Sequence, residues 1–194
     1  MKYTIAETMN QLRADHRNLV VLLDILDVEA ARLGSQGEPD YSLVADIMAY
    51  MAQYSDTVHH PKEDLIYEHI HAHHKDIEQG LAHIKKDHNS LEKTCGNIRE
   101  IVESIEDARC VNREALGSAL ENYSKSLRTH MYWEEKELFK LADSLVDDEA
   151  WTVLLSSKGI KPDPLFGNKV ERRFRKLFSG IQQRIVWDNQ QYFM

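Results

Sequence analysis

Residues 116–145, LGSALENYSKSLRTHMYWEEKELFKLADSL, carry the pattern that decides the fold. Their core-facing positions recur at intervals of three and four residues, which is the period of an α-helix. This stripe consists of Leu116, Ala119, Tyr123, Leu127, His130, Glu134, Leu138, Leu141 and Leu145. The stripe therefore predicts a helix whose buried face is interrupted by an imidazole and a carboxylate. Because a buried polar group without a partner is costly, this interruption needs an explanation.

Three earlier segments repeat the same spacing and the same kind of interruption. The interruptions are His16 in residues 5–33, His59 and Glu63 in residues 45–70, and His88 in residues 77–105. A break at residues 34–40 (GSQGEPD) and a short turn near Asn112 separate helical segments. Four segments of roughly 30 residues joined by short connections predict an all-α fold, an up-down-up-down four-helix bundle over residues 1–146.

Residues 147–194 form a predicted C-terminal helical extension. It begins with a short capped helix at residues 147–156, continues through a loop with proline and glycine at residues 158–168, and ends in an amphipathic helix with a basic polar face. This helix is expected either to dock on the acidic bundle or to form a homodimer interface. The apolar residues of that interface would be Phe174, Leu177, Phe178 and Ile181.

Composition and charge exclude several classes of protein. The chain has 194 residues, 42% of them hydrophobic and 29% charged, as expected for one globular domain. The net charge of −8 argues against binding to nucleic acid or anionic lipid. No apolar run is long enough to span a membrane, and we identify no secretory signal. Two cysteines, Cys95 and Cys110, without a paired framework fit a reducing cytosol, so we expect a cytoplasmic protein.

The spacing and height of the polar interruptions predict a metal site. Residues four apart on a helix lie on one face, so His59 with Glu63 and His130 with Glu134 can each direct two side chains at one centre. Counted along antiparallel helices, all the interruptions fall in one layer, roughly 25–33 Å from one end. The six candidate ligands are His16, His59, Glu63, His88, His130 and Glu134. Imidazoles and carboxylates together suit iron, manganese or zinc.

The motifs LRADH (12–16), HHPKED (59–64), KKDH (85–88) and HMYWEE (130–135) resemble the hemerythrin-like HHE cation-binding family. The later DPLFG (163–167) is similar to the branch of that family that carries HHPKED. The resemblance implies a non-haem di-iron site in which the four histidines are terminal ligands and the two glutamates bridge the metals. It also implies a small ligand such as O2, NO or peroxide.

One position departs from the family pattern. Oxygen-carrying hemerythrins have an H-x-x-x-H pair on the third helix, but the residue four before His88 is Ile84. His83 lies about 140° away around an ideal helix and would reach the site only through a π-bulge. With four imidazoles rather than five, one metal is expected to lack a nitrogen ligand, which favours sensing, peroxide or NO chemistry, or iron storage over reversible O2 carriage.

Other polar residues near the motifs have simpler interpretations. A cluster of histidines toward the end of the second helix is interpreted as solvated: His60, His69, His71, His73 and His74. Asp64 and Glu135 point about 100° away from the neighbouring glutamates and are interpreted as partners of ligands or as solvated groups. Pro61 is expected to kink or break the second helix because it lacks a backbone N–H.

Three classes of function remain after the sequence is considered. The first is a di-iron protein that binds O2, NO or peroxide, or handles iron, in stress response or sensing. The second is an enzyme that reduces peroxide or NO, or an iron donor for repair of iron–sulfur clusters. The third is a structural bundle with incidental zinc or no metal. Metal analysis separates the third class from the others, and turnover with peroxide or NO separates the first two.

Overall fold

The computed structural model of the chain describes residues 4–35, 37–74, 78–106, 112–156 and 161–191. Every regular element in these ranges is helical, which confirms the predicted all-α class. The α-helices are α1 (Ile5–Leu33), α2 (Tyr41–Tyr50), α3 (His60–His73), α4 (Glu78–Glu106), α5 (Arg113–Trp133), α6 (Phe139–Leu145), α7 (Asp148–Ser156) and α8 (Arg175–Gln191). Cys110 and the first residues of the predicted loop at 158–168 lie outside the described ranges.

Two of the four long helical segments contain a π-helical stretch. Met51–His59 joins α2 to α3, and Glu134–Leu138 joins α5 to α6. The backbone N–H of His60 donates to the carbonyl of Ser55, five residues earlier, and that of Phe139 donates to Glu134 in the same way. Such π-bulges inside α-helices often occur at functional sites.

Pro61 lies in the first turn of α3, directly after the longer π stretch. The expected break is wrong, because the helix continues through this point from α2 into α3. Because the helix is continuous here, the missing N–H of Pro61 leaves a gap within the hydrogen-bond ladder rather than at a free helix end. The π stretch accommodates the proline, since the preceding N–H of His60 is already paired with a carbonyl one residue farther back.

The second π stretch shifts the buried face of the helix that follows it. The stripe predicted from an α-helical period continued through Leu141 and Leu145, but both are only partly buried. Phe139, Ala142 and Val146 are buried instead, one residue later at each turn. The extra residue in the π turn accounts for this shift, because it rotates all later side chains around the axis.

The long helices pack as neighbours in a manner consistent with the predicted bundle. Helix α1 packs most extensively against α5 and also against α6, while α4 packs against α5 on one side and α2 on the other. Gly117 of α5 allows the closest approach to α1, because a Cβ there would lie 3.3 Å from both the Ala30 carbonyl oxygen and Leu33 Cβ. Within the described ranges, no helix is both long and apolar enough to cross a membrane.

Two apolar clusters lie on either side of the layer that holds the six candidate ligands. The first includes residues such as Leu19, Val58, Leu91 and Leu127, and the second includes Leu12, Ile66, Ile84 and Leu138. Each candidate ligand falls between members of the two clusters in its own helical segment. The layer is therefore sealed above and below by hydrocarbon, so charged groups inside it interact strongly.

The described part of the C-terminal extension packs on the other helices. Phe174, Leu177 and Ile181 are buried in the first apolar cluster, and the ring of Phe174 meets Tyr50 of α2 edge-on at 5.8 Å. At the periphery, Arg184 lies 3.4 Å from the buried carboxylate of Glu29 in α1. Apolar burial and an ion pair thus both hold α8 against the bundle.

Candidate metal centre

The structure brings the six predicted ligand residues into one buried layer. Their relative exposure is 6% or less: His16, His59, Glu63, His88, His130 and Glu134. In the first half of the layer, His16 Nε2 lies 3.4 Å from an oxygen of each glutamate, and His59 Nε2 lies 3.2 Å from Glu63 Oε1. Two imidazoles and two carboxylates from α1, the two π stretches and α3 therefore face one point.

The second half of the layer uses the opposite oxygens of the same glutamates. His130 Nε2 lies 3.0 Å and His88 Nε2 lies 3.1 Å from Glu134 Oε1. His88 Nε2 is also 3.6 Å from Glu63 Oε2. Each glutamate thus reaches both halves with separate oxygens, which is the arrangement needed to bridge two cations.

The other ring nitrogen of each histidine faces a carboxylate on a different helical segment. The Nδ1-to-oxygen distances are 2.9 Å for His16 to Glu135, 3.1 Å for His59 to Asp15, 3.0 Å for His88 to Asp64 and 3.7 Å for His130 to Asp87. Each carboxylate can accept a hydrogen bond from Nδ1–H, a tautomer that leaves the Nε2 lone pair directed at the layer. Carboxylates of this kind orient metal-binding histidines and raise their basicity.

Several polar atoms that face the layer have no hydrogen-bond partner. They are both carboxylate oxygens of Glu63, Oε2 of Glu134, and Nε2 of His16 and His130. Unsatisfied buried polar atoms are uncommon in native proteins and each costs about 1–3 kcal/mol. These atoms converge on one region and are all metal-ligating types, so the donor set fits bound cations.

The electrostatics of the layer favour positive charge. Burial opposes a charged His59 imidazole, but the Glu63 and Asp15 carboxylates outweigh it and raise the pKa of His59 to about 9. Burial likewise opposes charge on His88, and its hydrogen bonds with Asp64 and Glu134 raise its pKa to about 10. Burial tends to raise the pKa of Glu134, yet the surrounding imidazoles hold it well below its usual range. The raised pKa values mean that protonated imidazoles offset the negative charge of the carboxylates. A bound divalent cation would offset the same charge.

His60 is the principal correction to the sequence interpretation. We expected it to be solvated, but it is only 3% exposed, and one ring nitrogen lies within 4.8 Å of ligand atoms of Glu63, His88 and His130. Its ring stacks on that of His88, with centroids 4.3 Å apart. Burial, followed by the neighbouring imidazoles, lowers the pKa of His60 well below its usual value, so it is neutral as a ligand must be. Its ring nitrogens also lie 3.3 Å from Ser55 Oγ and 3.5 Å from Asp56 Oδ1. The expected solvation of His60 is therefore wrong, whereas a fifth imidazole ligand is a prediction.

The remaining histidines of the described residues do not join the layer. Helix α4 is regularly α-helical, so no π-bulge turns His83 toward the site, and its ring lies 5.9 Å from that of Trp133. Ile84 is buried in the second apolar cluster. The ring centroids of His69 and His73 lie 4.4 Å apart near the end of α3, with the rings tilted by 33°.

Sequence reasoning identified two of the four carboxylate partners and missed the other two. Glu135 and Asp64 were interpreted either as partners of ligands or as solvated groups, and each is hydrogen-bonded to a candidate ligand. Asp15 and Asp87 were missed, although each directly precedes a candidate ligand, in LRADH and KKDH. The available signal was this Asp-His pair, but each aspartate faces the histidine of another helical segment rather than its own neighbour.

A surface depression borders the site beside His16. This depression, of about 300 Å³, is bordered by His16, Val20, Met131, Tyr132 and Glu135. Glu135 is half exposed there, while the His16 side chain is only 3% exposed. The depression leads solvent to the outer edge of the first half of the layer.

Comparison with known proteins agrees with this geometry. Searches among curated proteins and among solved structures returned no match. The sequence model of the hemerythrin HHE cation-binding domain matches residues 8–142, which include all six predicted ligands, His60 and the four carboxylate partners. Since this match covers more than half of the chain and a buried His/Glu cluster occupies the matched region, the chain belongs to the hemerythrin HHE cation-binding domain family.

Proposed function

We propose that this protein binds two iron ions in the buried layer and uses them to bind O2, NO or peroxide. In the first half, the ligands would be His16 and His59; in the second, His88, His130 and His60. Glu63 and Glu134 would bridge the two ions. The single observation that carries this proposal is the convergence of unpartnered, buried imidazole nitrogens and carboxylate oxygens on one region between two apolar clusters.

Iron is favoured over zinc by the redox chemistry that the proposed function needs, and over the other candidate metals by the resemblance. Imidazoles with carboxylates and open positions also suit zinc and manganese, but zinc offers no redox chemistry. When bound, iron supplies reversible electron transfer and an open coordination position for a small ligand. The chain itself contributes the oriented imidazoles, two bridging carboxylates and exclusion of bulk water.

The two halves of the layer are unequal, and this inequality suggests where the ligand binds. His60 would give the second half three imidazoles, whereas the first half has two. The first half therefore offers the more open coordination. It is also the half beside the depression at His16, through which a small molecule can arrive.

Catalytic reduction of peroxide or NO is a second candidate function, favoured by the position of Glu135. This half-exposed carboxylate is hydrogen-bonded to the buried His16 at 2.9 Å. It thus places a solvent-exposed carboxylate, which exchanges protons with water, at the edge of the more open half of the layer, and reduction requires protons. Donation of iron for cluster repair would instead require an iron ion that leaves readily.

Anaerobic optical titration tests the proposed function. The iron-loaded, reduced protein is exposed to NO or O2, the gas is removed, and peroxide is added to a separate sample. Stoichiometric spectral changes with little turnover support the ligand-binding function. Sustained consumption of peroxide or NO supports the enzyme, and the absence of any spectral change with all three ligands contradicts both.

A further inference from the structure

A pocket separate from the metal layer lies where the C-terminal extension meets α1 and the longer π stretch. It has a volume of about 460 Å³, which suits a small organic molecule. Its polar walls include Lys62, Lys161, Asn168 and Tyr54, together with the carboxylates of Glu7 and Asp163. The outer wall, residues 161–168, is beyond the family match at residues 8–142, so the pocket combines the family domain with this chain's own extension.

The aspartates around this pocket already have hydrogen-bond donors. Asp15 accepts from Gln11 at 2.7 Å through one oxygen, and from Tyr54 and His59 at 3.1 Å each through the other. Asp163 accepts two backbone N–H groups, those of Leu165 and Phe166, through Oδ1. Its other oxygen accepts from the Tyr50 hydroxyl. Neither carboxylate therefore requires a cation from the pocket.

Lys62 differs from these aspartates in its hydrogen bonding. It is only 8% exposed, yet among the described residues no hydrogen bond or ion pair satisfies its ammonium group. The group lies 5.8 Å from the centre of the Tyr54 ring and lines the pocket. The carboxylates of Asp15, Glu63 and Asp163 act on its charge from beyond ion-pair distance, so the ammonium protons stay available to a molecule in the pocket. Lys161 adds a second positive charge at the rim.

The loop that closes the pocket is held in a specific conformation. At Gly167, a Cβ would lie 2.3 Å from the Asp163 carbonyl oxygen, so only glycine permits this close turn. The Gly167 N–H donates to that carbonyl, and Asp163 is anchored to α2 through Tyr50. The pocket wall is thus built into the fold.

We propose that this pocket binds a small organic molecule through an oxyanion group, a carboxylate or a phosphate, whose oxygens accept from the Lys62 ammonium. Lys161 and Asn168 supply further positive charge and hydrogen-bond donors at the rim. The bound molecule lies next to Tyr54, whose hydroxyl is joined to His59 through Asp15. Binding itself requires no metal in the layer, so it stands or falls independently of the di-iron proposal.

Calorimetric titration of the full chain at low ionic strength tests this inference. The probes are succinate, inorganic phosphate and uncharged succinamide, with the metal content of each sample measured in parallel. We expect saturable binding of succinate or phosphate but not of succinamide. Lys62→Met should weaken that binding about tenfold or more, while Lys62→Arg should retain most of it. Lys85→Met is the matched control, because Lys85 already pairs with Glu68 on the surface.

Backbone NMR of the unmodified protein provides a readout that does not depend on any variant folding. The amide signals of Gly167 and Asn168 should shift as the bound anion saturates the pocket. No saturable binding of either anion, equal binding of succinamide, or unchanged affinity in a folded Lys62→Met variant would each overturn the proposal. Shifts confined to another surface would do the same.

Discussion

At the scale of single residues, carboxylates orient the candidate ligand histidines. Two of these carboxylates are next to one ligand in the sequence but contact a different ligand in space. Asp15 precedes His16 but faces His59, and Asp87 precedes His88 but faces His130. Acidic neighbours thus link the helical segments in pairs across the layer. Such partners fix the tautomer of a metal-binding histidine, and their loss typically weakens metal binding 10–100-fold.

Asp15→Asn should reduce metal affinity by about 10–100-fold, because Asp15 lies 3.1 Å from His59 Nδ1 and is fully buried. Asp87→Asn is the graded control, since its oxygen is 3.7 Å from His130 Nδ1 and its side chain is 44% exposed. Asp87→Asn should lower the metal affinity only a few-fold, because an exposed charged pair contributes little energy. Anaerobic competition with a chelator measures both, and equal losses in the two variants would contradict the assigned roles.

His60→Phe should lower the iron content from about two ions per chain toward one. Phenylalanine preserves stacking on His88 but removes the ring nitrogen that faces the second half of the layer. His83→Phe is the matched control, because that ring lies against Trp133 and outside the layer. Iron analysis measures the number of bound ions, and Mössbauer spectroscopy reports their coordination. An unchanged spectrum in His60→Phe, or the same loss in His83→Phe, would show that His60 is not a ligand.

Residue-scale sequence reasoning succeeded where helical spacing alone decides position. His130 and Glu134 lie one α-helical turn apart, and their convergence follows from that spacing. It failed at His60, which directly follows His59 and on an ideal helix would point about 100° away. Hydrogen bonding in the π stretch, which ends at His59, changes that angle, and nothing in the local sequence specifies such a stretch except Pro61 after it.

At the scale of elements, two π stretches distinguish the real helices from the ideal ones. An α-helical period placed most of the stripe correctly up to Leu138 and then lagged by one residue, as the burial of Ala142 rather than Leu141 shows. Helix number and order were predictable because apolar periodicity spans each long segment. The π turns were not predictable from this periodicity, since they depend on tertiary packing around the polar layer.

The contact between α1 and α5 gives an element-scale prediction. Gly96→Ala in α4 should stabilise the protein by about 0.5–1 kcal/mol, because a Cβ there meets nothing within 4 Å and alanine is the better helix former. Gly117→Ala in α5 makes the same exchange, but its Cβ would lie 3.3 Å from α1. In Gly117→Ala, crowding against α1 should offset or reverse the gain in the free energy of unfolding. Chemical denaturation compares the two, and an equal gain in both would contradict the close approach of α1 and α5.

At the scale of the whole molecule, the extension at residues 161–191 completes the apolar core and closes the oxyanion pocket. Four of its apolar side chains, Leu165, Phe174, Leu177 and Ile181, are buried in the same cluster as residues of α1, α2, α4 and α5. The sequence left two alternatives for this helix, docking on the bundle or a dimer interface. Amphipathicity alone did not choose between them, because both bury the same face.

Phe174→Ala should lower the free energy of unfolding by about 3–5 kcal/mol, since it removes a fully buried aromatic ring from the cluster. The exposed Val153→Ala is the control and should change stability by at most about 0.5 kcal/mol. Denaturant unfolding and sedimentation are measured together. A dimer that dissociates in Phe174→Ala without loss of monomer stability would favour the interface instead.

Metal stoichiometry after anaerobic, iron-replete preparation tests the central claim most directly. The account predicts about two iron ions per chain in the unmodified protein and in His69→Ala, whose ring lies near the end of α3 and outside the layer. Glu63→Ala and Glu134→Ala should each lose the dinuclear centre, because each removes a carboxylate that reaches both halves. Zero or one ion in the unmodified protein, or loss of iron from His69→Ala but not from Glu134→Ala, would contradict the dinuclear site.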